Sequence, residues 1–120
     1  MTGTVDDFGR ALIRVILRHP DTGAFLEGDA WVDTAFTGDL LLPQQLIAQL
    51  NLPQKARIGA GLGDGSRTSF VSYRCMIDWF GKPKAIEALA SASRLPLVGV
   101  SLLQDHVVTA DYPNRTVHIQ

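Results

Sequence analysis

Between Val71 and Trp79 the residues Val71, Tyr73, Cys75, Ile77 and Trp79 share one parity, while Ser72, Arg74 and Asp78 share the other. A period of two sustained over that length is the pattern of a strand with one buried face, and a helix cannot reproduce it. Leu12 to Arg18 repeats the pattern, with Ile13, Val15 and Leu17 opposite Arg14 and Arg18. His19-Pro20-Asp21-Thr22-Gly23 then turns the chain, because proline presets φ and glycine tolerates positive φ. A return strand follows over about Ala24 to Asp33. Gly81-Lys82-Pro83 ends the long strand, and Val107 to Asp111 and Thr116 to Gln120 flank a turn at Tyr112-Pro113-Asn114-Arg115. The terminal segment, with Val117 and Ile119 on one face, reads as an edge open to pairing.

One segment is plainly helical. Pro43 stands where a first helical residue is tolerated, Leu46, Ile47 and Leu50 share a face, and Pro53 follows the end. Lys84 to Ser93 is read as a further strand, although its alanines favour helix. No repeat, linker or low-complexity tract interrupts the 120 residues, so residues 1–120 read as one mainly antiparallel β domain with one or two short helices.

Composition narrows the function. With 46% hydrophobic and 19% charged residues the chain suits a folded globular domain, and a net charge of -1 without a basic block argues against a nucleic-acid partner. Asp6 and Asp7 stand where a signal peptide needs basic residues, and no apolar run is long enough to span a bilayer. The expectation is a cytoplasmic protein with no membrane partner. Cys75, alone, reads as a buried free thiol. His19, His106 and His118 lack metal-ligand spacing, so no metal is implied, and Ser66, Ser69, Ser72 and Ser101 lack the context of a serine nucleophile. Trp31, Trp79 and Phe80 read as core or subunit contacts.

The stretch that carries chemistry is Trp31-Val32-Asp33-Thr34-Ala35-Phe36-Thr37-Gly38-Asp39-Leu40-Leu41-Leu42-Pro43, where a strand delivers a carboxylate into a polar loop before an apolar run. A carboxylate placed among apolar strands must be hydrogen-bonded, paired or functional. Near the other end, Leu95-Pro96-Leu97-Val98-Gly99-Val100-Ser101-Leu102-Leu103 sets two apolar residues before a glycine. Together these segments resemble the retroviral-type, retropepsin-like aspartic proteases, in their small prokaryotic single-domain branch, over about Leu12 to Ile119.

The resemblance implies an all-β acid-protease closed barrel, one lobe per chain. It implies Asp33 as the catalytic carboxylate, Thr34 and Ala35 as its loop, and Leu97, Val98 and Gly99 as a glycine loop packed beside it. Because the chain brings one such aspartate, the implied enzyme is a homodimeric endopeptidase. Two Asp33 carboxylates would share a proton across a water and hydrolyse a peptide or protein substrate without a cofactor. By the same resemblance the Thr34 hydroxyl braces the loop across the dimer axis; the plainer reading is a loop threonine bonded to its own backbone.

Three further features qualify this picture. Asp21-Thr22-Gly23 spells the family triplet, but no apolar strand delivers it, so it reads as an exposed hairpin tip. Ala35 replaces the family's glycine, which costs on the order of 1 kcal/mol if that position needs positive φ and only crowds the cleft if it does not. Gly59 to Ser66 lacks a phosphate-loop register and reads either as a flap with its tip at Gly63, Asp64 and Gly65 or as an ordinary glycine-rich turn. The rival functions are a catalytically silent homologue that binds peptide and a dimeric interaction module, the latter requiring separated or salt-bridged Asp33 carboxylates.

Overall fold

The alternating segments pair into a single sheet that closes on itself. In this computed structural model, which describes residues 1–61, 65 and 67–120 and the side chains of all of these except 58–61 and 67–69, the strands are β1 (Thr2–Val5), β2 (Ala11–Arg18), β3 (Phe25–Val32), β4 (Leu40–Pro43), β5 (Gln54–Gly61), β6 (Arg67–Trp79), β7 (Lys82–Ser91), β8 (Leu97–Val98), β9 (Val108–Asp111) and β10 (Thr116–Ile119). Their order is β5-β6-β7-β4-β8-β3-β2-β1-β10-β9, and β6 pairs again with β2. That extra pairing, Leu17 opposite Ile77 and Arg18 opposite Met76, closes β2, β3, β8, β4, β7 and β6 into a barrel. Two pairs within it are parallel, β3 with β8 and β4 with β7.

The parity read from the sequence is largely the parity of burial; Ser72, read on the polar face, is the exception, fully buried with its hydroxyl donating to the Ala56 carbonyl at 3.3 Å. Ile13, Val15 and Leu17 on β2 and Cys75, Ile77 and Trp79 on β6 point into one core with Leu40, Leu42, Ala88 and Val98. Burial of the Cys75 thiol removes its charged form from water and pushes its pKa up to about 11. Lys84 to Ser91 is strand, as expected. β7 has β6 on one side and β4 on the other, and Ala88, fully buried between Tyr73 and Leu40, fits where a larger side chain would not. Two ladders outweigh the helical preference of its alanines.

Two boundaries differ from expectation, at Pro43 and at Lys82–Pro83. Pro43 closes β4 and caps helix α1 (Gln44–Leu50) from an extended conformation, φ −54° and ψ 138°, instead of opening it. Asn51, left-handed at φ 52°, ends the helix with its amide on the Ala48 carbonyl, 3.0 Å. The long strand ends at Trp79, and Phe80 and Gly81 form the turn at φ 52° and 80°, so Lys82 and Pro83 begin β7.

The terminal strand is the larger correction. β10 is not an edge, because β1 covers one side and β9 the other, and Val117 and Ile119 lie in the core at 1% and 0% exposure. The free edges of the sheet belong to β9 and β5. Among the described residues no helix is long and apolar enough to cross a membrane.

Candidate active site

β8 lies between β3 and β4, parallel to one and antiparallel to the other, and this arrangement builds the site. Consecutive strands separated by a third leave a gap that the connecting residues 33–39 must bridge over the end of β8. The bridge is stitched to the segment that follows β8. The Asp33 amide donates to the Val98 carbonyl at 2.9 Å, the Gly99 amide to Asp39 at 2.9 Å, and the Val100 amide to Phe36 at 2.8 Å. Ser101 adds two bonds, its amide to the Gly38 carbonyl at 3.1 Å and its hydroxyl to the Thr37 carbonyl at 2.7 Å. Helix α2 (Val100–Leu103) then drives Leu102 and Leu103 into the core and anchors the pair of loops from below.

Glycine is required at the crossing. A Cβ on Gly99 would collide with the Gly38 carbonyl oxygen, approach the Phe36 ring to 2.5 Å and meet the Phe36 carbonyl oxygen at 2.8 Å; one on Gly38 would meet the same ring at 2.5 Å. The Phe36 ring thus occupies the volume that two absent side chains leave open. Asp39 ties the loop to β7 by accepting the Glu87 amide at 3.0 Å.

Asp33 itself is half-buried at the barrel rim, not enclosed among apolar strands. The burial argument from the sequence therefore does not apply; the loop lifts the carboxylate to the surface. Its Oδ1 accepts the Ala35 amide at 3.0 Å, and its carbonyl accepts the Phe36 amide at 3.3 Å, the geometry of an Asx turn. Oδ2 has no partner among the described residues. Thr34 and Ala35 are exposed. The Thr34 hydroxyl bonds to nothing among the described residues, so the reading in which it satisfies its own backbone fails. Ala35 is outside the left-handed region, which among the described non-glycine residues holds Asn51, Phe80 and Arg115.

The remaining sequence candidates sort cleanly. Leu97, Val98 and Gly99 lie beside the Asp33 loop. Asp21 sits on the β2–β3 turn, exposed, with Oδ2 3.0 Å from the Arg74 guanidinium. The hairpin expected between Ile58 and Thr68 exists as β5 and β6, with Gly65 at φ 86°; Gly63 and Asp64 lie outside the described residues, so the flap tip is not placed. His106 is structural, its Nε2 3.4 Å from the Trp79 indole nitrogen and its ring stacked on Phe80. Among the described residues no group of three His, Cys, Asp or Glu side chains could hold a metal ion. Sequence reasoning missed Phe36, Gly38 and Ser101 as loop supports, although an aromatic two residues before a glycine, in a loop facing a second glycine loop, was a usable signal.

No family model matches the chain, and no curated protein matches it. Solved structures do. A retropepsin-like aspartic protease from Rickettsia conorii superposes with a TM-score of 0.63 at 15% identity, covering 98% of this chain and 86% of that one. EIAV protease in an inhibitor complex superposes with a TM-score of 0.55 at 18% identity, covering 80% of this chain and 86% of that one. The fold is therefore the all-β acid-protease barrel of the retropepsin-like proteins.

Proposed function

We propose that residues 1–120 form one retropepsin-like domain that works as a homodimeric aspartic endopeptidase, with Asp33 of each copy facing its counterpart across a water. The observation that carries this reading is the state of Asp33. One carboxylate oxygen is fixed by the Ala35 amide at 3.0 Å while the other has no partner among the described residues, on a loop stitched to Val98 and Gly99. A fixed, half-exposed carboxylate with a free oxygen is the half of a dyad that one chain can supply. Brought against a twofold copy, two such groups cannot both ionise, so one holds a proton for the substrate carbonyl and the other takes one from water.

Thr34 supports the same arrangement. Its exposed hydroxyl lacks a partner among the described residues, so it is available to brace the loop of the second copy. Ala35, at its ordinary φ, puts no backbone strain on the loop, so what it adds is a methyl group beside Asp33, the feature on which the catalytically silent alternative rests. Substrate would be an extended peptide, held as an added strand beneath the β5–β6 hairpin, and no cofactor enters the reaction. Incubation of the wild type and Asp33→Asn with a mixed peptide library from acid to neutral pH tests the proposal. Cleavage by the wild type alone supports it, and equal behaviour of the two proteins overturns it.

A further inference from the structure

Gly28 stands at an inward-facing position of β3 with nothing beside it. Its partner across the ladder is Val15, which points into the core at 3% exposure, and a Cβ built on Gly28 would meet no atom within 4 Å. The space left open is a hollow of about 330 Å³. Leu17 and Leu26 wall it from the β2–β3 hairpin, Leu46 from helix α1, and Leu95 and Pro96 from the segment that leads into β8. It is separate from the candidate active site, since Gly28 and Asp33 lie roughly 16 Å apart along an extended chain rising about 3.3 Å per residue.

The edge of β3 that borders this hollow is unpaired. β8 covers β3 only at Trp31 and Val32, and the Trp31 amide points to that side, donating to the Pro96 carbonyl at 2.8 Å. Backbone groups alternate sides along a strand, so the amides and carbonyls of Asp29 and Glu27 point the same way as those of Trp31. Among the described residues no backbone group answers them. Asp29 and Glu27 therefore border the hollow with their main chain, while their carboxylates lie on the opposite face with Arg14, at 3.6 and 3.5 Å. Arg94 supplies the charge at the rim. It is exposed, and its guanidinium has no partner among the described residues.

A free strand edge, an apolar hollow and an unanswered cation are thus adjacent. An extended peptide satisfies the first as an added strand, an apolar side chain fills the second, and a terminal carboxylate meets the third. A fatty acid would leave the main-chain groups of Glu27 and Asp29 without partners.

We infer that this hollow is a second peptide site, independent of Asp33, which takes the C-terminal end of an extended peptide with an apolar side chain seated over Gly28 and its carboxylate on Arg94. Titration calorimetry tests it, using acetyl-Ala-Ala-Leu-Leu ended as a free acid or as an amide, in an Asp33→Asn background so that cleavage is suppressed. The acid is expected to bind about tenfold or more tightly than the amide, because its hydrogen bonds to Arg94 are charge-assisted. Arg94→Gln, an exposed change, should remove that preference. Gly28→Leu fills the hollow at a position that is not left-handed, so its unfolding midpoint should be no lower than that of the parent, while binding of the acid weakens by about tenfold or more. Binding indifferent to Gly28→Leu, equal affinity for acid and amide, or no saturable binding up to millimolar peptide overturns the inference. A hollow that takes decanoate and refuses the peptide overturns the choice of occupant. A wild type that cleaves nothing leaves the site standing, because none of these measurements uses the Asp33 carboxylate.

Discussion

The Ser101 hydroxyl donates to the Thr37 carbonyl at 2.7 Å, joining residues 64 positions apart at the point where the Asp33 loop turns back toward β4. It is the side-chain member of a set of bonds that otherwise runs through backbone, and it lies on an exposed side of the loop. Ser101→Ala is expected to cost roughly 0.5–1.5 kcal/mol, the net worth of one such bond. If the loop orders Asp33 for catalysis, the same change lowers kcat more than it raises KM. Denaturant unfolding and steady-state cleavage check both, and a change confined to stability would show that the bond holds the fold and not the carboxylate.

Gly99→Ala tests the crossing itself. Two of the atoms that its Cβ would meet are backbone oxygens, of Gly38 and Phe36, and they can move only if the loop moves. The substitution is expected to destabilise the protein by about 1–3 kcal/mol, the range for forcing extra volume into a packed site. Phe36→Leu in the same background, by shrinking the ring against the glycine, should recover part of that loss. An unfolding midpoint unchanged by Gly99→Ala would mean that the two loops are not in contact.

How much of this was legible in the sequence depends on distance along the chain. β2 and β6 could be read because Ile13, Val15 and Leu17, and Cys75, Ile77 and Trp79, record burial on one face residue by residue. β1 could not. Thr2-Gly3-Thr4-Val5 carries no apolar alternation, and it is a strand because β2 and β10 flank it and Gly3 lets the Leu12 carbonyl approach. The place of β10 between β1 and β9 is a matter of strand order, which no local pattern encodes. The place of Asp33 just beyond a strand and before the apolar run to Pro43 was legible, whereas its half-exposed state depends on loop closure over β8. The support from Phe36 and Ser101 joins segments brought together only by the barrel.

Asp21 and Asp33 carry the two readings of the Asp-Thr triplet, and the structure separates their surroundings. Asp21→Asn alters an exposed ion pair with Arg74, worth about 0–1 kcal/mol, and should leave peptide cleavage nearly intact. Asp33→Asn should abolish cleavage with little change in stability, since the Asn side-chain oxygen can still accept the Ala35 amide. Equal loss from both substitutions would place the active site elsewhere.

Ala35→Gly restores the residue that the retropepsin-like pattern carries there. Because Ala35 already sits outside the left-handed region, glycine relieves no strain and frees the unfolded chain, so the expected cost is roughly 0.4–1 kcal/mol. Removing an exposed methyl beside Asp33 should at the same time raise peptide cleavage. A variant that gains stability would contradict the observed φ, and one that stays inert as an established dimer against varied peptides would favour a peptide-binding function.

The barrel closes where β2 meets β6, and Arg18 and Asp78 fasten that seam with two bonds of 2.9 Å from Nε and Nη2 to the two carboxylate oxygens. The hydrogen bonds from Arg18, aided by its charge, hold the Asp78 carboxyl below its ordinary value of 3.8. A depressed folded-state value means that the unfolded chain takes up the proton first as pH falls. The stability this pair contributes is therefore fully present above the ordinary carboxylate range and is lost as pH drops through the lower folded-state value. Asp78→Asn should be less stable than the wild type by a constant amount at neutral pH, with the difference shrinking below about pH 4, where the unfolded carboxylate begins to protonate. Thermal unfolding of both proteins from pH 7 to pH 3 measures it. A stability gap that stays constant to the lowest pH would show that Arg18 leaves the titration of Asp78 unaltered.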